Sequence, residues 1–540
     1  MSDNYLFWRV FSRRTLITYF VVTVLFLTCI LRVAVTAISD YSEIQEKQNN
    51  LKLKIKDLRG TIFDCNLIPL TNNQKKIIAA VSPTPIAVTA ISSVLKGENL
   101  ENALSRLKYG KPILCEVPSK IECDGIVCTE IYTNQTDTAV AIHTVGYTDS
   151  DGKGVSGLEK AYDSVLNSNT EAYISYECNG KGEILEGTKP MIYNDSSVVA
   201  GGVVSTIDIN IQIIAEAASK SIETGAIVIA DAKTGKIRAT VSRPTFNAEN
   251  ISDYLNAPDS PLLNRTISAY NVGSVFKPCV AVAGIENGKQ NFFYNCTGSC
   301  EIIDRHFKCH KLDGHGYMSI KKGLANSCNT FFYNFAFNLG GEEILKTASI
   351  LGFGKPLKLC NGIETASGSL PKLNTLSNIA YLANLSIGQG ELLLSPISIL
   401  TLYCAIASGG EYYIPSLVEG ILENGNLQKY NIGKPTRVMK NTTAEALRNY
   451  LEAVITEGTG EDACPKTIAA AGKTATAQTG KFENGVEINE GWFCGYFPAE
   501  NPEYVVVVFS ENTLRQTKTC SQIFAEIADN IASLKCLEQN

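Results

Sequence analysis

Three short motifs, far apart in the chain, together hold the side chains that acyl transfer by a serine requires. Ser274 is followed by Lys277, and the later segments Ser327-Cys328-Asn329 and Lys473-Thr474-Ala475 supply hydroxyl, amide and ammonium groups. A serine hydroxyl attacks a carbonyl only after a base has taken its proton. Residues i and i+3 of a helix share a face, so Lys277 can reach Ser274 if a helix begins here. A lysine acts as this base when burial or a neighbouring cation lowers its pKa.

The first motif alone does not identify the nucleophile, because the pattern Ser-x-x-Lys recurs along the chain. Its copies begin at Ser93, Ser105, Ser150, Ser274, Ser319 and Ser369. Gly273 allows a close approach of the chain just before Ser274, and the apolar residues that follow predict a buried helix. Order, spacing and secondary structure agree only for the copy at Ser274, combined with the motifs at Ser327 and Lys473.

Other copies of the second and third motifs fall in unsuitable places. The literal Lys-Thr-Gly at Lys233 lies between two alternating β-branched runs, which predicts the turn of a hairpin. A second Lys-Thr-Ala, at Lys346, lies in a helical pattern and offers no sheet edge. Ser2-Asp3-Asn4 precedes the apolar N-terminal segment. In contrast, we predict a loop between helices at Ser327 and a strand of small residues at Lys473.

The elements around the chosen motifs predict one α+β domain over residues 200–540, with an antiparallel sheet flanked by helices. Its start shows a strand at 203–207, an amphipathic helix at 210–222 and a hairpin at 225–242. Its middle, from about 272 to 409, has a helical pattern. Its end shows strands at 467–478, 491–497 and 504–509, and a helix at 517–534.

The N-terminal segment at 15–38 is apolar apart from Arg32 and reaches the length of about 20 residues that a bilayer crossing needs. Arg9, Arg13 and Arg14 precede it, so the positive-inside tendency places residues 1–14 in the cytoplasm and the remainder of the chain outside. A cleaved signal peptide is the alternative, but the apolar run is longer than such peptides usually have. We therefore predict a single-pass anchor in the cytoplasmic membrane.

The stretch at 39–199 shows no motif that carries chemistry. Residues 40–58 alternate charged and apolar side chains and are interpreted as a stalk, and short strands and a helix at 98–107 follow. The formal net charge is −6, without basic clusters, which excludes nucleic acid as a partner. We predict a noncatalytic pedestal of mixed α/β structure for this part of the chain.

Cysteine usage is unusual for a chain placed outside the membrane. The count of 17 is odd, so complete pairing is impossible, and either a reducing environment or a few disulfides would explain it. Cys296, Cys309, His315 and Cys328 have the ligand chemistry of a zinc site, but their spacing matches no standard zinc finger. We predict no metal and no other cofactor. If a metal does bind, these four residues are the candidate ligands, and the alternatives for them are a local disulfide or simple buried thiols.

Longer segments resemble those of class B penicillin-binding proteins, the D,D-transpeptidases of peptidoglycan. RGTIFDCN and GVSGLEKAYD resemble segments before the catalytic domain, and SIGQGELLLSPI and GWFCGYFP resemble segments around the third motif. The resemblance covers nearly everything after residue 58. It implies the penicillin-binding serine transpeptidase fold over residues 200–540, behind a transmembrane helix and a dimerisation-like pedestal.

The resemblance also implies a role for each residue of the first two motifs. Ser274 attacks the carbonyl of the penultimate D-alanine of a stem peptide, and Lys277 accepts its proton. Ser327 relays a proton to the leaving amine. Asn329 holds both Lys277 and the amide of the substrate.

For the third motif, the resemblance implies substrate binding. Lys473 helps to lower the pKa of Lys277 and, with Thr474, binds the carboxylate of the substrate, while the backbone amides of Ser274 and Thr476 form the oxyanion hole. Ala475 departs from the glycine that the family has at this position. Its methyl group would narrow or crowd the site.

The activity implied is cross-linking of peptidoglycan stem peptides, with β-lactams acylating Ser274. A D,D-carboxypeptidase or a β-lactamase of the same fold, or a catalytically impaired scaffold, are the alternatives, and the anchor and pedestal favour the transpeptidase. The pedestal does not resemble a glycosyltransferase. The family pattern therefore implies a separate polytopic membrane enzyme as partner, which polymerises the glycan.

Overall fold

The computed structural model describes residues 2–38, 50–133, 140–179, 183–185, 188–193, 202–302, 305–423 and 425–538. The chain forms two compact units. The smaller comprises Met1–Asp57, Lys76–Ile131 and Glu171–Asp195, and the larger comprises Leu58–Lys75, Tyr132–Thr170 and Ser196–Asn540. The boundary at residues 199 and 200 that the sequence suggested remains a prediction.

The first third of the chain alternates helices and strands. Its elements are α1 (Ser2–Ile38), β1 (Asn50–Arg59), β2 (Thr61–Phe63), β3 (Gln74–Val81), α2 (Pro85–Val94), α3 (Gly97–Leu107), β4 (Ile113–Val117), β5 (Ile126–Thr133), α4 (Ile142–Val145), α5 (Gly157–Ala161), α6 (Asp163–Leu166), β6 (Asn167–Glu177) and β7 (Met191–Tyr193).

The middle third holds the first two motifs. Its elements are β8 (Gly202–Ser205), α7 (Ile209–Ser219), β9 (Gly225–Asp231), β10 (Ile237–Arg243), α8 (Ile251–Tyr254), β11 (Tyr270–Asn271), a 3₁₀ turn (Gly273–Phe276), α9 (Lys277–Glu286), β12 (Tyr294–Cys296), β13 (Ser299–Ile302), β14 (Arg305–Lys308), β15 (Gly316–Met318), α10 (Ile320–Ala325), α11 (Asn329–Leu339) and α12 (Gly341–Ile350).

The last third holds the third motif. Its elements are β16 (Lys358–Cys360), β17 (Ile363–Glu364), α13 (Ile379–Ser386), β18 (Leu393–Leu394), α14 (Pro396–Ala407), β19 (Glu411–Tyr412), β20 (Val418–Glu423), β21 (Asn426–Lys429), β22 (Thr436–Arg437), α15 (Asn441–Thr456), β23 (Ala471–Glu483), β24 (Val486–Phe497), β25 (Tyr504–Ser510) and α16 (Cys520–Glu538).

Helix α1 contains the predicted apolar segment. Arg13–Val35 forms 23 consecutive helical residues with a mean hydropathy of 2.3 in its most apolar window, long and apolar enough to cross a membrane. Among the described residues it is the one helix with these properties, as expected for a single-pass membrane protein. The orientation of the helix across the membrane remains a prediction.

The smaller unit contains two sheets, one in the order β4-β3-β5 and one in the order β1-β6-β7. Residues 50–58 were predicted to belong to a stalk, and this is wrong, because they form most of strand β1. Leu51, Leu53 and Ile55 alternate with polar residues and pack against the buried Ile174 and Tyr176. An alternation of period two is the pattern of a half-buried strand. The rest of the predicted stalk, residues 39–49, lies outside the described residues.

A five-stranded antiparallel sheet in the order β10-β9-β25-β24-β23 forms the centre of the larger unit. The predicted hairpin at 225–242 and the three predicted late strands are confirmed as β9, β10, β23, β24 and β25. Alternate residues of β25 enter two separate cores, Val505 and Val507 on one face and Val506 and Val508 on the other. Burial on both faces explains why this strand is an unbroken apolar run.

A buried ion-pair cluster joins two of the segments that carried the family resemblance. The guanidinium of Arg59 donates to Glu159 Oε2 at 2.7 Å, to Asp163 Oδ1 at 2.8 Å and to the carbonyls of Gly152 and Glu159 at 2.9 and 3.0 Å. Glu159 is 1% exposed, and burial raises its pKa while Arg59 opposes the rise. The cluster therefore stabilises this part of the larger unit only as long as both charges are present.

We expect the substitution Arg59→Met to destabilise the larger unit by about 3–5 kcal/mol, because it leaves the buried carboxylate of Glu159 without its partner. Thermal unfolding of the full chain in detergent, followed by tryptophan fluorescence, measures the change. Lys76→Met is the matched control, because its ion pair with Glu116 is largely solvent-exposed. Equal melting temperatures for the two variants would contradict a structural role for the cluster.

Candidate active site

Ser274 lies in a tight turn that packs against strand β23. Gly273 has a φ of +58°, and its amide donates to the carbonyl of Gly388 at 2.9 Å. A Cβ at Gly273 would lie 3.2 Å from the Cβ of Ala477 and 3.4 Å from that of Ala475. Glycine is therefore required both by the backbone conformation and by the close approach. The turn brings the predicted nucleophile next to the strand that carries the third motif.

The connection from Ser274 to Lys277 is a 3₁₀ turn rather than an α-helical one. Gly273–Phe276 forms the turn, and the amide of Lys277 donates to the carbonyl of Ser274 before α9 begins. Side chains at i and i+3 eclipse one another in a 3₁₀ helix. This geometry favours placing the two side chains on the same side of the turn, and the hydrogen bond between the Ser274 hydroxyl and the Lys277 amine remains a prediction. Ser274 remains half-buried at the start of the helix.

The ammonium of Lys277 is completely buried and links the first two motifs. Its Nζ donates to Asn329 Oδ1 at 2.7 Å, to the carbonyl of Ser327 at 2.7 Å and to Ser327 Oγ at 3.2 Å. Nζ also lies 5.5 Å from the ring centroid of Phe332. Burial lowers the pKa of Lys277 to about 7. At neutral pH a substantial fraction of this lysine is therefore neutral and able to accept a proton.

Ser327 lies in the predicted loop, between α10 and α11, and adopts a φ of +51°. Its amide donates to the carbonyl of Leu324 at 3.1 Å, and the amide of the next residue, Cys328, donates to that of Gly323 at 2.9 Å. A residue with a Cβ is uncommon in this region of backbone space, and such strain often accompanies a functional site. The turn directs both oxygens of Ser327 towards Lys277.

Lys473 lies on β23 and is also completely buried. Its Nζ donates to the carbonyl of Thr474 at 3.0 Å and lies 3.4 Å from Thr474 Oγ1. Burial, and then the charge of Lys277, lower the pKa of Lys473. A positive charge on one of these amines disfavours a positive charge on the other. The structure thus joins Lys277 to Ser327 and Asn329 by hydrogen bonds and places Lys473 within electrostatic reach of Lys277. Ser274 lies in the turn that packs against the strand of Lys473.

Ala475 does not obstruct the exposed side of β23. Successive side chains of a strand point to opposite faces, and Thr474 and Thr476 lie on the solvent-accessible face whereas Ala475 is 8% exposed. Its methyl group faces Gly273 on the buried face. Strand β23 is also at the edge of its sheet. The methyl therefore packs beneath the nucleophile turn, and the edge stays available to an extended peptide.

The four candidate metal ligands form one cluster behind the second motif. Cys309 Sγ lies 3.9 Å from Cys328 Sγ and 3.5 Å from His315 Nδ1, which is 3.6 Å from Cys296 Sγ. All four ligand atoms lie within 4.8 Å of one another. A hydrogen bond from Cys328 lowers the pKa of Cys309. All cysteines of the chain are free, so the alternative of a local disulfide is not found.

Sequence reasoning missed two residues near these motifs. Glu490 on β24 pairs with Ala477, is 7% exposed, and its Oε2 has no hydrogen-bond partner among the described residues. Burial raises its pKa to about 8. Its sequence signal is an acidic residue beside an apolar strand. Thr459, in the loop after α15, lies 3.0 Å from Thr474 between hydroxyl oxygens, a contact that no sequence pattern indicates.

Comparison with known protein families identifies the domain that contains this site. Residues 225–533 match the model of the penicillin binding protein transpeptidase domain, which is more than half of the chain. The chain belongs to the penicillin-binding protein family. The matched region contains all three motifs.

Curated relatives include a sporulation protein and a peptidoglycan D,D-transpeptidase. Stage V sporulation protein D of Bacillus subtilis is 28% identical in an alignment of 413 positions, gaps included, which covers 72% of this chain and 61% of that protein. The chain therefore spans less than two thirds of the length of this relative. Peptidoglycan D,D-transpeptidase MrdA of Acinetobacter baumannii is 25% identical in an alignment of 591 positions, gaps included, which covers 93% of this chain and 85% of that one. These matches support the class B resemblance, which is confirmed.

A solved structure shares the fold of this protein. It is described as the structural coordination of polymerization and crosslinking by a peptidoglycan synthase complex. The two structures superpose with a TM-score of 0.70 at 22% sequence identity, over 96% of this chain and 98% of that chain. The predicted fold class is therefore confirmed.

The raised pKa of Glu490 makes stability depend on pH. Its pKa lies at about 8 in the folded protein against 4.5 as the ordinary value, so the folded state holds the proton more tightly and loses stability as pH rises from about 4.5 to 8. Glu490→Gln cannot ionise. We expect its melting temperature to equal that of wild type at pH 5 and to exceed it by a few degrees at pH 8.5, measured by thermal unfolding in detergent.

The matched control is Glu500→Gln, which removes an exposed carboxyl near the end of the same strand. Its melting temperature should differ from that of wild type by the same small amount at both pH values. A difference for Glu490→Gln that does not change with pH would show that Glu490 is ionised throughout this range.

Proposed function

We propose that this protein is a peptidoglycan D,D-transpeptidase that cross-links stem peptides through an acyl-enzyme on Ser274, and that β-lactams inhibit it by acylating the same serine. The observation that carries the proposal is the buried amine of Lys277. It lies one turn after Ser274 and is held by Ser327 and Asn329. A lysine in this setting is a base near neutral pH, which is what a serine nucleophile requires.

In the first half-reaction the neutral amine of Lys277 takes the proton of the Ser274 hydroxyl. The oxygen attacks the carbonyl carbon of the penultimate D-alanine, and the peptide bond to the last D-alanine breaks. Ser327, whose Oγ lies 3.2 Å from Lys277 Nζ, passes the proton on to the leaving amine. This leaves an ester on Ser274 and a neutral Lys277.

In the second half-reaction the amine of a neighbouring stem peptide attacks the ester carbonyl. The new amide is the cross-link, and Ser274 recovers its proton through Lys277. The backbone amides of Ser274 and Thr476 stabilise the oxyanion in both steps, each donor contributing on the order of 3 kcal/mol in the transition state. Lys473 and Thr474 bind the terminal carboxylate of the donor peptide.

Among the alternatives, the position of Ala475 weighs against an impaired scaffold, because its methyl lies on the buried face of β23. A carboxypeptidase or β-lactamase would use the same Ser274 and Lys277 and differ in the acceptor, which is water. The relative named D,D-transpeptidase, matched over 93% of this chain, favours an amine acceptor.

Helix α1 and the similarity to a solved peptidoglycan synthase complex support a location of this protein at the membrane. We propose that residues 1–14 lie in the cytoplasm and that the catalytic unit lies outside. We also propose that a separate polytopic membrane enzyme polymerises the glycan while this chain cross-links it. The structure described as coordinating polymerization and crosslinking, similar over 96% of this chain, supports such a partner.

We further propose that Cys296, Cys309, His315 and Cys328 hold a zinc ion. Tetrahedral zinc with thiolate and imidazole ligands at about 2.3 and 2.0 Å keeps its ligand atoms about 3.6–3.8 Å apart. The pairs at 3.5, 3.6 and 3.9 Å lie within a few tenths of an ångström of this spacing, and all four ligand atoms lie within 4.8 Å of one another. Four protein ligands fill a tetrahedral zinc, so its part here is structural. Cys328 lies between Ser327 and Asn329, so the ion would fix the strained turn that holds Lys277.

The serine acyl-enzyme is tested by labelling full-length protein in detergent with fluorescent penicillin. We expect stoichiometric label on wild type, none on Ser274→Ala, and labelling slowed by a factor of 10²–10⁴ in Lys277→Ala, which lacks the base. Ser93→Ala, in another Ser-x-x-Lys motif, is the control and should label normally.

A second arm of the same experiment distinguishes the acceptors. A stem-pentapeptide thioester is supplied with and without an amino-acid acceptor, and the products are identified by mass spectrometry. Amide formation that depends on Ser274 supports the transpeptidase. Exclusive hydrolysis would favour the carboxypeptidase, and label that survives in Ser274→Ala would exclude the proposed nucleophile.

The zinc proposal predicts about one zinc per chain in protein purified without chelator, measured by inductively coupled plasma mass spectrometry. Cys309→Ser and His315→Ala should each lose most of the metal and acylate with penicillin more slowly. Cys464→Ser removes an exposed thiol outside the cluster and should retain the metal. Wild-type protein without zinc, after expression in zinc-supplemented medium, would refute the assignment.

A further inference from the structure

Thr459 contacts the third motif although it belongs to none of the three. It lies in the loop between α15 and β23, and its Oγ1 is 3.0 Å from Thr474 Oγ1. Thr459 is exposed and Thr474 is half-buried. The contact therefore lies at the exposed face of β23, where the proposed function has the substrate carboxylate bind.

The backbone around Thr459 is held by the same helix end that carries the second motif. Its amide donates to the carbonyl of Ala325 at 3.0 Å, and the amide of Gly460 donates to that of Val454 at 2.8 Å. A Cβ at Gly458 would lie 2.2 Å from the oxygen of Ala325, so only glycine allows this approach. The packed loop thus fixes the backbone of Thr459 beside Thr474.

The hydrogen-bonding capacity of Thr474 gives this contact a direction. A threonine hydroxyl has one proton to donate and two lone pairs to accept with. Lys473 Nζ lies 3.4 Å from the Thr474 oxygen, on one side, and Thr459 lies at 3.0 Å. If Thr459 donates its proton, both lone pairs of Thr474 have a donor, and the proton of Thr474 is left for a third group.

We propose that Thr459 is a positioning residue that donates to Thr474 and directs the Thr474 hydroxyl at the terminal carboxylate of the substrate. The inference deepens the proposed function and rests on it. A hydrogen bond to a carboxylate is stronger than one between two hydroxyls, and a chain of hydroxyls polarises in one direction. The chain from Thr459 through Thr474 therefore favours ligands that carry a carboxylate over the same ligands without the charge.

The test compares benzylpenicillin with its methyl ester, which has the same reactive ring and no carboxylate charge. The second-order rate constant for acylation of Ser274 in the full chain is measured by mass spectrometry for each ligand. We expect Thr459→Val, which keeps the shape and loses the hydroxyl, to slow acylation by benzylpenicillin about tenfold and to leave the rate with the ester unchanged. Thr459→Ser should recover most of the lost rate.

Controls separate this role from a purely structural one. Thr456→Val changes an exposed threonine at the end of α15 whose hydroxyl bonds within its own helix, and both rates should stay as in wild type. A double-mutant cycle with Thr474→Val should show that the two losses are not additive, because both remove the same hydrogen-bond chain. Circular dichroism checks folding, and Thr459→Ala carries the same comparison if the valine variant folds poorly.

Three outcomes would overturn the inference. The first is an unchanged rate of acylation by benzylpenicillin in Thr459→Val. The second is an equal decrease of the acylation rate with both ligands. The third is a loss of rate in the double variant that equals the combined losses of the two single variants. The failure of the proposed acyl-enzyme on Ser274 gives a different result, because wild-type protein would then form no adduct on Ser274 with either ligand. Acylated wild type with an inert Thr459 thus rejects the inference and leaves the proposed function intact.

Discussion

A buried ammonium group costs several kcal/mol to desolvate, and Lys277 recovers this only through oxygen atoms placed around it. Those atoms belong to Ser327 and Asn329, which lie at the turn between α10 and α11, whereas Lys277 lies at the start of α9. The lysine therefore fixes the distance between α9 and the turn before α11. Three neighbouring features accompany this buried ammonium. They are the positive φ of Ser327, the aromatic ring of Phe332 and the thiol cluster that contains Cys328.

A second constraint comes from the edge of the central sheet. Lys473 is buried next to Lys277, so neither amine can be charged without raising the cost of charging the other. The strand that carries Lys473 also needs small side chains where the nucleophile turn packs on it, at Ala475 and Ala477. Acid–base chemistry and close packing are thus imposed on the same stretch of β23, which explains its run of alanines and threonines.

Sequence patterns predicted what depends on local order along the chain. The hairpin at β9 and β10, the late strands and the i+3 relation of Ser274 and Lys277 follow from periodicity and spacing, and these elements are present. Strand β1 was taken as a stalk because its alternation is short and its lysines are many. Thr459 and Glu490 were missed for a different reason. Their surroundings come from segments far apart in sequence, and a pattern within one segment carries no information about them.

Strand β25 has a consequence for the C-terminal helix. Val506 and Val508 enter the core that Ile523, Phe524 and Ile527 of α16 complete. Without that helix, a central strand would present its apolar face to water, and a surface of that kind promotes self-association. Helix α16 therefore shields the apolar face of the sheet from water. We expect truncated forms of the chain that lack this helix to aggregate, which would prevent an assay of their activity.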